Sequence, residues 1–103
     1  MTQPATLITS IESEWEPGDG FFWKIRQGVF RDSDFERAFE KVKAVPTFSD
    51  RPVPARLVSL LWYVPLFMQW QVERVREQGG DEARYATATN KMTAEVERIL
   101  GVP

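Results

Sequence analysis

The feature that most constrains the fold of this chain is its apolar run LVSLLWYVPLFMQW, residues 57–70. A helix that spans a bilayer needs about 20 apolar residues. This run has twelve positions up to Met68, and Ser59 interrupts it. Arg56 and Glu73 enclose it on either side. The run therefore predicts a helix inside a protein core rather than a helix that crosses a membrane.

The second half of this segment has a different character. Beyond Met68 the apolar residues thin to Trp70, Val72 and Val75, which are separated by Gln, Glu and Arg. A helix from Leu57 to Gln78 would be apolar on every side at first and amphipathic later, which is typical of the central helix of a small bundle. Two other interpretations stay open: a helix lying on a membrane surface, and an exposed apolar patch used for dimerisation or for a partner.

Pro65 lies in the middle of this predicted helix. Because proline has no backbone N–H, the carbonyl of Leu61 would lack its helical partner, and the proline ring would crowd the preceding turn. We therefore expect a kink or a break near residues 61–65.

The first thirty residues predict shorter elements. Ile8, Ile11 and Trp15 have helical spacing in the segment Pro4–Trp15, whose proline suits a first helical turn; a short strand is the alternative there. EPGDG at 16–20 is a turn by composition. The next stretch, FFWKIRQGVF, fits a helix or a strand. We favour a helix that Asp19 caps and Gly28 ends.

Two further helices have clear end signals. Ser33 and Glu36 have the spacing of a capping box, and Pro46 stops that helix near Ala44. The loop PTFSDRPVP, residues 46–54, then joins two halves of the fold. The closing helix is capped by Asp81 and ends at Gly101.

Together these patterns predict a single helical domain, residues 1–103, in the all-α class. Four or five helices form a small bundle around the central, proline-kinked apolar helix. The composition, 43% hydrophobic and 27% charged, is that of a globular domain. The predicted core is Ile11, Phe22, Ile25, Phe35, Phe39, Val42, Leu57, Leu60, Leu61, Val64, Met68, Val72, Met92, Val96, Ile99 and Leu100.

The absence of cysteine and histidine excludes several chemistries. Disulfides, thiolate nucleophiles, zinc fingers and every mechanism that needs an imidazole are ruled out. Carboxylate pairs such as Glu12/Glu16 and Glu73/Glu77 are ordinary helix decoration, with no nucleophile or cofactor motif beside them. We therefore predict no catalytic residue, no metal site and no cofactor.

The charge distribution indicates the kind of partner. The formal net charge of -2 argues against nucleic-acid binding, which rests on a surplus of Lys and Arg. The first twenty residues contain Glu12, Glu14, Glu16 and Asp19 and no Lys or Arg. This run is either a solvated surface or an acidic docking patch with Trp15 as an aromatic anchor. Our candidate partner-binding residues are Glu12, Trp15, Glu16 and Asp19.

The stretch SIESEWEPGDGFFWKIRQGVF, residues 10–30, resembles the openings of small bacterial immunity proteins of contact-dependent inhibition and other polymorphic toxin systems. Those proteins often have an acidic start with tryptophan and proline ahead of short helices. The resemblance covers about the first third of the chain and has no diagnostic motif. It implies a bacterial inhibitor that binds and neutralises a toxin, with a basic toxin domain as its partner.

A second class of function stays open, because the apolar surplus also suits a small homo-oligomeric structural or regulatory subunit. A homodimer is compatible with either class. The opening MTQPATLITSIESEW has no basic start, and Thr, Ser and Glu interrupt its apolar residues. It therefore predicts no secretory signal and a cytoplasmic location.

Overall fold

The computed structural model describes residues 3–48 and 51–103 of the chain. These residues form helices and connecting turns with no strand among them, so the all-α prediction is confirmed. The elements are α1 (Pro4–Glu12), a 3-10 helix (Ser13–Trp15), α2 (Phe21–Arg26), α3 (Asp32–Lys43), α4 (Ala55–Trp70), α5 (Val72–Glu77) and α6 (Glu82–Leu100). Ser49 and Asp50 of the predicted 46–54 loop lie outside the described residues.

The N-terminal elements follow the predicted pattern with one change in capping. Pro4 begins α1, and the ambiguous stretch is helical over Phe21–Arg26. Gly28 follows that helix with a φ of 82°, a conformation that glycine adopts without strain. Asp19 does not cap α2, contrary to the prediction, because the first N–H of the helix, that of Phe21, donates to the carboxylate of Glu14.

The predicted capping box at Ser33 and Glu36 does not form. α3 begins at Asp32, two residues before the start at Asp34 that a Ser33 cap would give, and no side chain caps it. The first turn of α3 makes tertiary contacts instead: the buried Asp34 accepts hydrogen bonds from Lys24 of α2, and the exposed Asp32 accepts one from Arg84 of α6. Ser33 is therefore inside the first turn and exposed to solvent.

The predicted central helix is divided, but not at its proline. α4 continues through Pro65 and ends at Trp70, and α5 begins after Gln71. Leu61, Val64 and Met68 are buried on both sides of Pro65, so core packing holds the helix together across the lost hydrogen bond. The carbonyl of Met68, which the N–H of Val72 would reach in a continuing helix, accepts hydrogen bonds from the hydroxyl of Tyr85 at 2.6 Å and from the N–H of Gln71 at 3.2 Å.

α4 is the centre of the fold. It packs mainly against α6 and also against α1, and α6 in turn contacts α3 and α5. Asp81 caps α6 as predicted, accepting the N–H of Arg84 at 3.0 Å, and Gly101 ends it with a φ of 85°. The described residues form six α-helices rather than four or five, because the break at Gln71 makes two helices of the predicted central one.

The core prediction is largely confirmed. All of the predicted core residues are buried except Phe39, Val72 and Leu100, which are partly buried and packed against the core. The buried apolar residues that were not predicted are Leu7, Phe21, Ala38, Val45, Phe48, Phe67, Val75, Tyr85 and Ala88. Across residues 3–48 and 51–103, none of the helices combines the length and apolarity needed to cross a membrane.

Candidate functional site

The four predicted partner-binding residues lie close together in the chain but have different environments. The carboxylate of Glu12, at the end of α1, accepts hydrogen bonds of 2.9 and 2.7 Å from Arg56 of α4. Trp15 is half-buried, and Glu16 and Asp19 are exposed. Only the last two therefore present free carboxylates, and none of the ion pairs within the described residues includes either of them.

Trp15 belongs to an aromatic cluster rather than to the open surface. Its ring stacks on Phe22 with centroids 4.5 Å apart and lies 4.8 Å from Phe67 and 6.1 Å from Tyr63. Its indole nitrogen is buried and has no hydrogen-bond partner among the described residues. Trp15 therefore supports the packing of α2 against α4, and its ring is not available as a free anchor.

Glu14, which was absent from the predicted patch, is the centre of this region. Its side chain is 3% exposed, and both carboxylate oxygens are saturated. Oε1 accepts hydrogen bonds from the N–H of Phe21 at 2.9 Å and from Nη2 of Arg37 at 2.8 Å. Oε2 accepts them from Nε of Arg37 at 2.9 Å and Nζ of Lys41 at 2.6 Å. We call this set of groups the Glu14 hub.

The hub controls the ionisation of Glu14. Burial alone would raise the pKa of the carboxyl, but the hydrogen bonds from Arg37, Lys41 and the Phe21 N–H outweigh that effect and lower the pKa to about 2. The same contacts raise the pKa of the Arg37 guanidinium. Glu14 is therefore charged at neutral pH, and its carboxylate pairs with Arg37 and Lys41 inside the protein.

A second buried carboxylate extends the hub to the start of α3. Asp34 accepts hydrogen bonds from Nη1 of Arg37 at 3.0 Å and from Nζ of Lys24 at 3.1 and 3.2 Å. Lys24 is on α2 and Arg37 on α3, so these contacts join the two helices. Two buried anions are thus matched by Lys24, Arg37 and Lys41.

The hub also holds the turn at residues 16–20. The guanidinium that pairs with Glu14 donates a further hydrogen bond of 2.9 Å to the carbonyl of Asp19. Gly18 has a φ of 98°, in the region that favours glycine. A Cβ on Gly20 would lie 2.4 Å from the backbone oxygen of Glu14, so only glycine allows the chain to pass so close. This turn therefore displays its carboxylates from a fixed backbone.

A second exposed feature lies beside Trp15, on α4. Trp62, Leu66 and Trp70 are large apolar residues that are 52%, 37% and 60% exposed. Tyr63 links them to the interior cluster, with its ring 5.7 Å from those of both Trp62 and Trp70. Sequence periodicity did not single out this surface, because a helix that is apolar on all sides does not reveal which side faces solvent.

Charged and apolar side chains together line one groove of the fold. A groove of about 420 Å³ lies between α3 and α6, with Phe30 and Phe35 among its apolar lining residues and Glu36, Arg84 and Lys91 among its charged ones. Both signs of charge line it. Within the described part of the chain, no three acidic side chains come close enough together to hold a metal ion.

Comparisons with known proteins assign no family to the chain. It matches no protein-family model, no curated protein and no solved structure.

Proposed function

We propose that this chain is a non-catalytic protein-binding protein, an immunity-type inhibitor that binds and neutralises a bacterial toxin in the cytoplasm. The toxin domain is basic where it meets the inhibitor. The contact is made by the turn at residues 16–20, with Glu16 and Asp19 as the charged groups.

One observation supports this proposal above the others: two exposed carboxylates, which have no ion-pair partner among residues 3–48 and 51–103, lie on a turn that a buried charge network holds in place. The other acidic residues of the opening run are used internally, Glu12 by Arg56 and Glu14 by Arg37 and Lys41. A fixed turn loses little conformational freedom when it binds, which favours affinity.

The electrostatics fit the proposed partner class. Toxins that act on nucleic acids need basic surfaces to bind phosphates. An acidic turn gives such a surface a complementary potential, which speeds the encounter and disfavours acidic partners. The protein needs no catalytic group for this role, since covering the active surface of a toxin is sufficient to inhibit it.

Charge reversal of the turn tests this assignment. We expect the variant Glu16→Lys/Asp19→Lys to associate with the toxin domain about 10-fold or more slowly at low salt, because it loses electrostatic steering. The difference should shrink as salt is raised. The measurement is the association rate constant from stopped-flow or biolayer interferometry over a series of salt concentrations.

A matched control shows whether the association rate depends on where the charges are reversed or only on the change in net charge. The variant Glu77→Lys/Glu97→Lys makes the same change of net charge at two exposed sites, neither of which takes part in an ion pair of the described structure. It should associate at nearly the wild-type rate. Equal rates for the two double variants would show that the acidic turn is only a solvated surface.

The function itself is tested in cells. The gene beside this one should encode a protein that arrests growth when expressed alone, and co-expression of this chain should restore growth and give a heteromeric complex of the two. A neighbouring product that is harmless, or that does not bind this chain when both are purified, would contradict the proposal.

A further inference from the structure

Arg37 of α3 connects the Glu14 hub to the turn at residues 16–20. Its guanidinium donates hydrogen bonds of 2.8 and 2.9 Å to the carboxylate of Glu14 and one of 3.0 Å to that of Asp34. Nη2 donates a further hydrogen bond of 2.9 Å to the backbone carbonyl of Asp19. Charge-assisted bonds to two carboxylates hold the planar guanidinium in one orientation. The donor that reaches the turn therefore has a fixed position.

The middle of the turn depends on this contact. The end of the turn is fixed by packing, because Gly20 lies against the backbone of Glu14. Residues 17–19 before it are exposed. Among the described residues, their one hydrogen bond to another element is that from Arg37 to Asp19. We therefore expect the middle of the turn to become mobile when this contact is removed.

Lys41, one helical turn after Arg37 on α3, binds the same carboxylate without contacting the turn. Its Nζ donates to Oε2 of Glu14 at 2.6 Å and to the hydroxyl of Ser13 at 3.0 Å. Removing either cation would weaken the hub, because a charge-assisted hydrogen bond is lost. Removing Arg37 would also release the carbonyl of Asp19. Lys41 is therefore the control for any effect that Arg37 has through the turn.

We propose that Arg37 is a positioning residue for the partner, which sets the affinity of the turn without contacting the toxin domain. It holds the carbonyl of Asp19 and with it the arrangement of the Glu16 and Asp19 carboxylates. This inference rests on the proposed function, because the partner is the same basic domain. Ordering a mobile turn on binding costs conformational entropy at every residue that becomes fixed, and a turn that is ordered beforehand avoids that cost.

The charge of Arg37 gives the two possible effects opposite signs. Arg37→Gln makes the protein one unit more acidic, so electrostatic steering alone predicts that a basic domain associates somewhat faster with the variant. Loss of positioning predicts weaker binding, since a mobile turn must be ordered in the complex. Lys41→Gln makes the same change of net charge close by and leaves the contact with the turn in place.

The first experiment observes the turn in the free protein, by 15N relaxation of its backbone amides. A rigid backbone has order parameters of about 0.85, and a flexible one has values below about 0.6. We expect Gly18 and Asp19 to change from the rigid to the flexible range in Arg37→Gln and to stay rigid in Lys41→Gln. Arg37→Lys keeps the charge in the hub, but its single nitrogen cannot replace the fork that reaches both Glu14 and Asp19. It should also leave the turn flexible, and it provides the test if the glutamine variant does not fold.

The second experiment measures binding to the purified product of the neighbouring gene, by biolayer interferometry at low salt. The dissociation rate constant should rise about 10-fold or more for Arg37→Gln and Arg37→Lys, and the glutamine variant should associate no more slowly than the wild type. Lys41→Gln should dissociate at nearly the wild-type rate. Circular dichroism verifies that each variant is folded at the temperature of the measurement.

Two results would overturn the inference. One is a turn that stays rigid in both Arg37 variants, since the contact with Asp19 would then not hold it. The other is an equal rise in the dissociation rate for Arg37→Gln and Lys41→Gln, which would show a general effect of the weakened hub. Failure of the proposed function has a different signature. The Glu16→Lys/Asp19→Lys variant would then bind as the wild type does, while the order parameters of the free protein would still respond to changes at Arg37.

Discussion

Replacing Leu61 with alanine is expected to lower the free energy of unfolding by about 2–5 kcal/mol. Leu61 lies in the middle of α4, the helix around which the others pack, and its side chain is fully buried. The substitution removes apolar contacts and leaves a cavity that neighbouring helices fill only in part. Urea denaturation monitored by circular dichroism measures the change, with the slope of the transition unchanged if the fold is intact.

The same substitution five residues further along α4 is the control. Leu66 is 37% exposed, so Leu66→Ala should cost less than about 1 kcal/mol. Both variants are compared at a concentration where the chain is monomeric, so that any effect on self-association is kept out of the measurement. A similar loss for the two would mean that α4 does not present Leu61 to the core.

Replacing Glu14 with glutamine is expected to cost about 2–3 kcal/mol, because it leaves the partly buried donors of Arg37 and Lys41 without an anion. The cost is below the roughly 3–5 kcal/mol of a broken, fully buried pair, since the Arg37 side chain is 41% exposed and can turn towards water. Glu12→Gln is the matched control two residues earlier. Glu12 pairs with Arg56 in an exposed bridge, so this variant should lose less than about 1 kcal/mol.

Acid should remove the same stabilisation from the wild-type protein. The pKa of Glu14 is about 2 in the folded state against an ordinary value of 4.5, so the unfolded chain binds this proton more readily. The stabilisation is complete above pH 4.5 and is lost as the pH falls from there towards 2, amounting to about 3 kcal/mol. The Glu14→Gln variant should show a flatter pH dependence over that range. Parallel curves for wild type and variant would exclude Glu14 as the source.

The helices themselves were predictable, because their signals are local. Pro4, Asp81 and Gly101 mark helix ends through their own backbone or side-chain geometry, and the structure uses each of them as predicted. The division at Gln71 was not predictable from neighbouring residues. It coincides with a hydrogen bond from Tyr85, seventeen residues away, to the carbonyl of Met68.

The candidate site was predicted less completely for a related reason. In sequence, Glu12, Glu14 and Glu16 form one acidic run. In the fold, Glu12 pairs with Arg56, Glu14 is buried and Glu16 is exposed to solvent. A signal for Glu14 was present on α3, where Arg37 and Lys41 lie four residues apart and thus on the same side. Tertiary packing determines which glutamate pairs with Arg37 and Lys41.

The Glu14 hub also bears on how the chain assembles during synthesis. Its donors lie 7, 23 and 27 residues after Glu14, so it closes through short loops at a small cost in entropy. Synthesis proceeds from the N-terminus, and every member of the hub is made before the apolar run begins at Leu57. The ring of Trp15 can then be in place to receive Phe67. The apolar run from Leu57, which is the segment most prone to aggregate, is thus synthesised after Trp15, a part of the surface that will cover it.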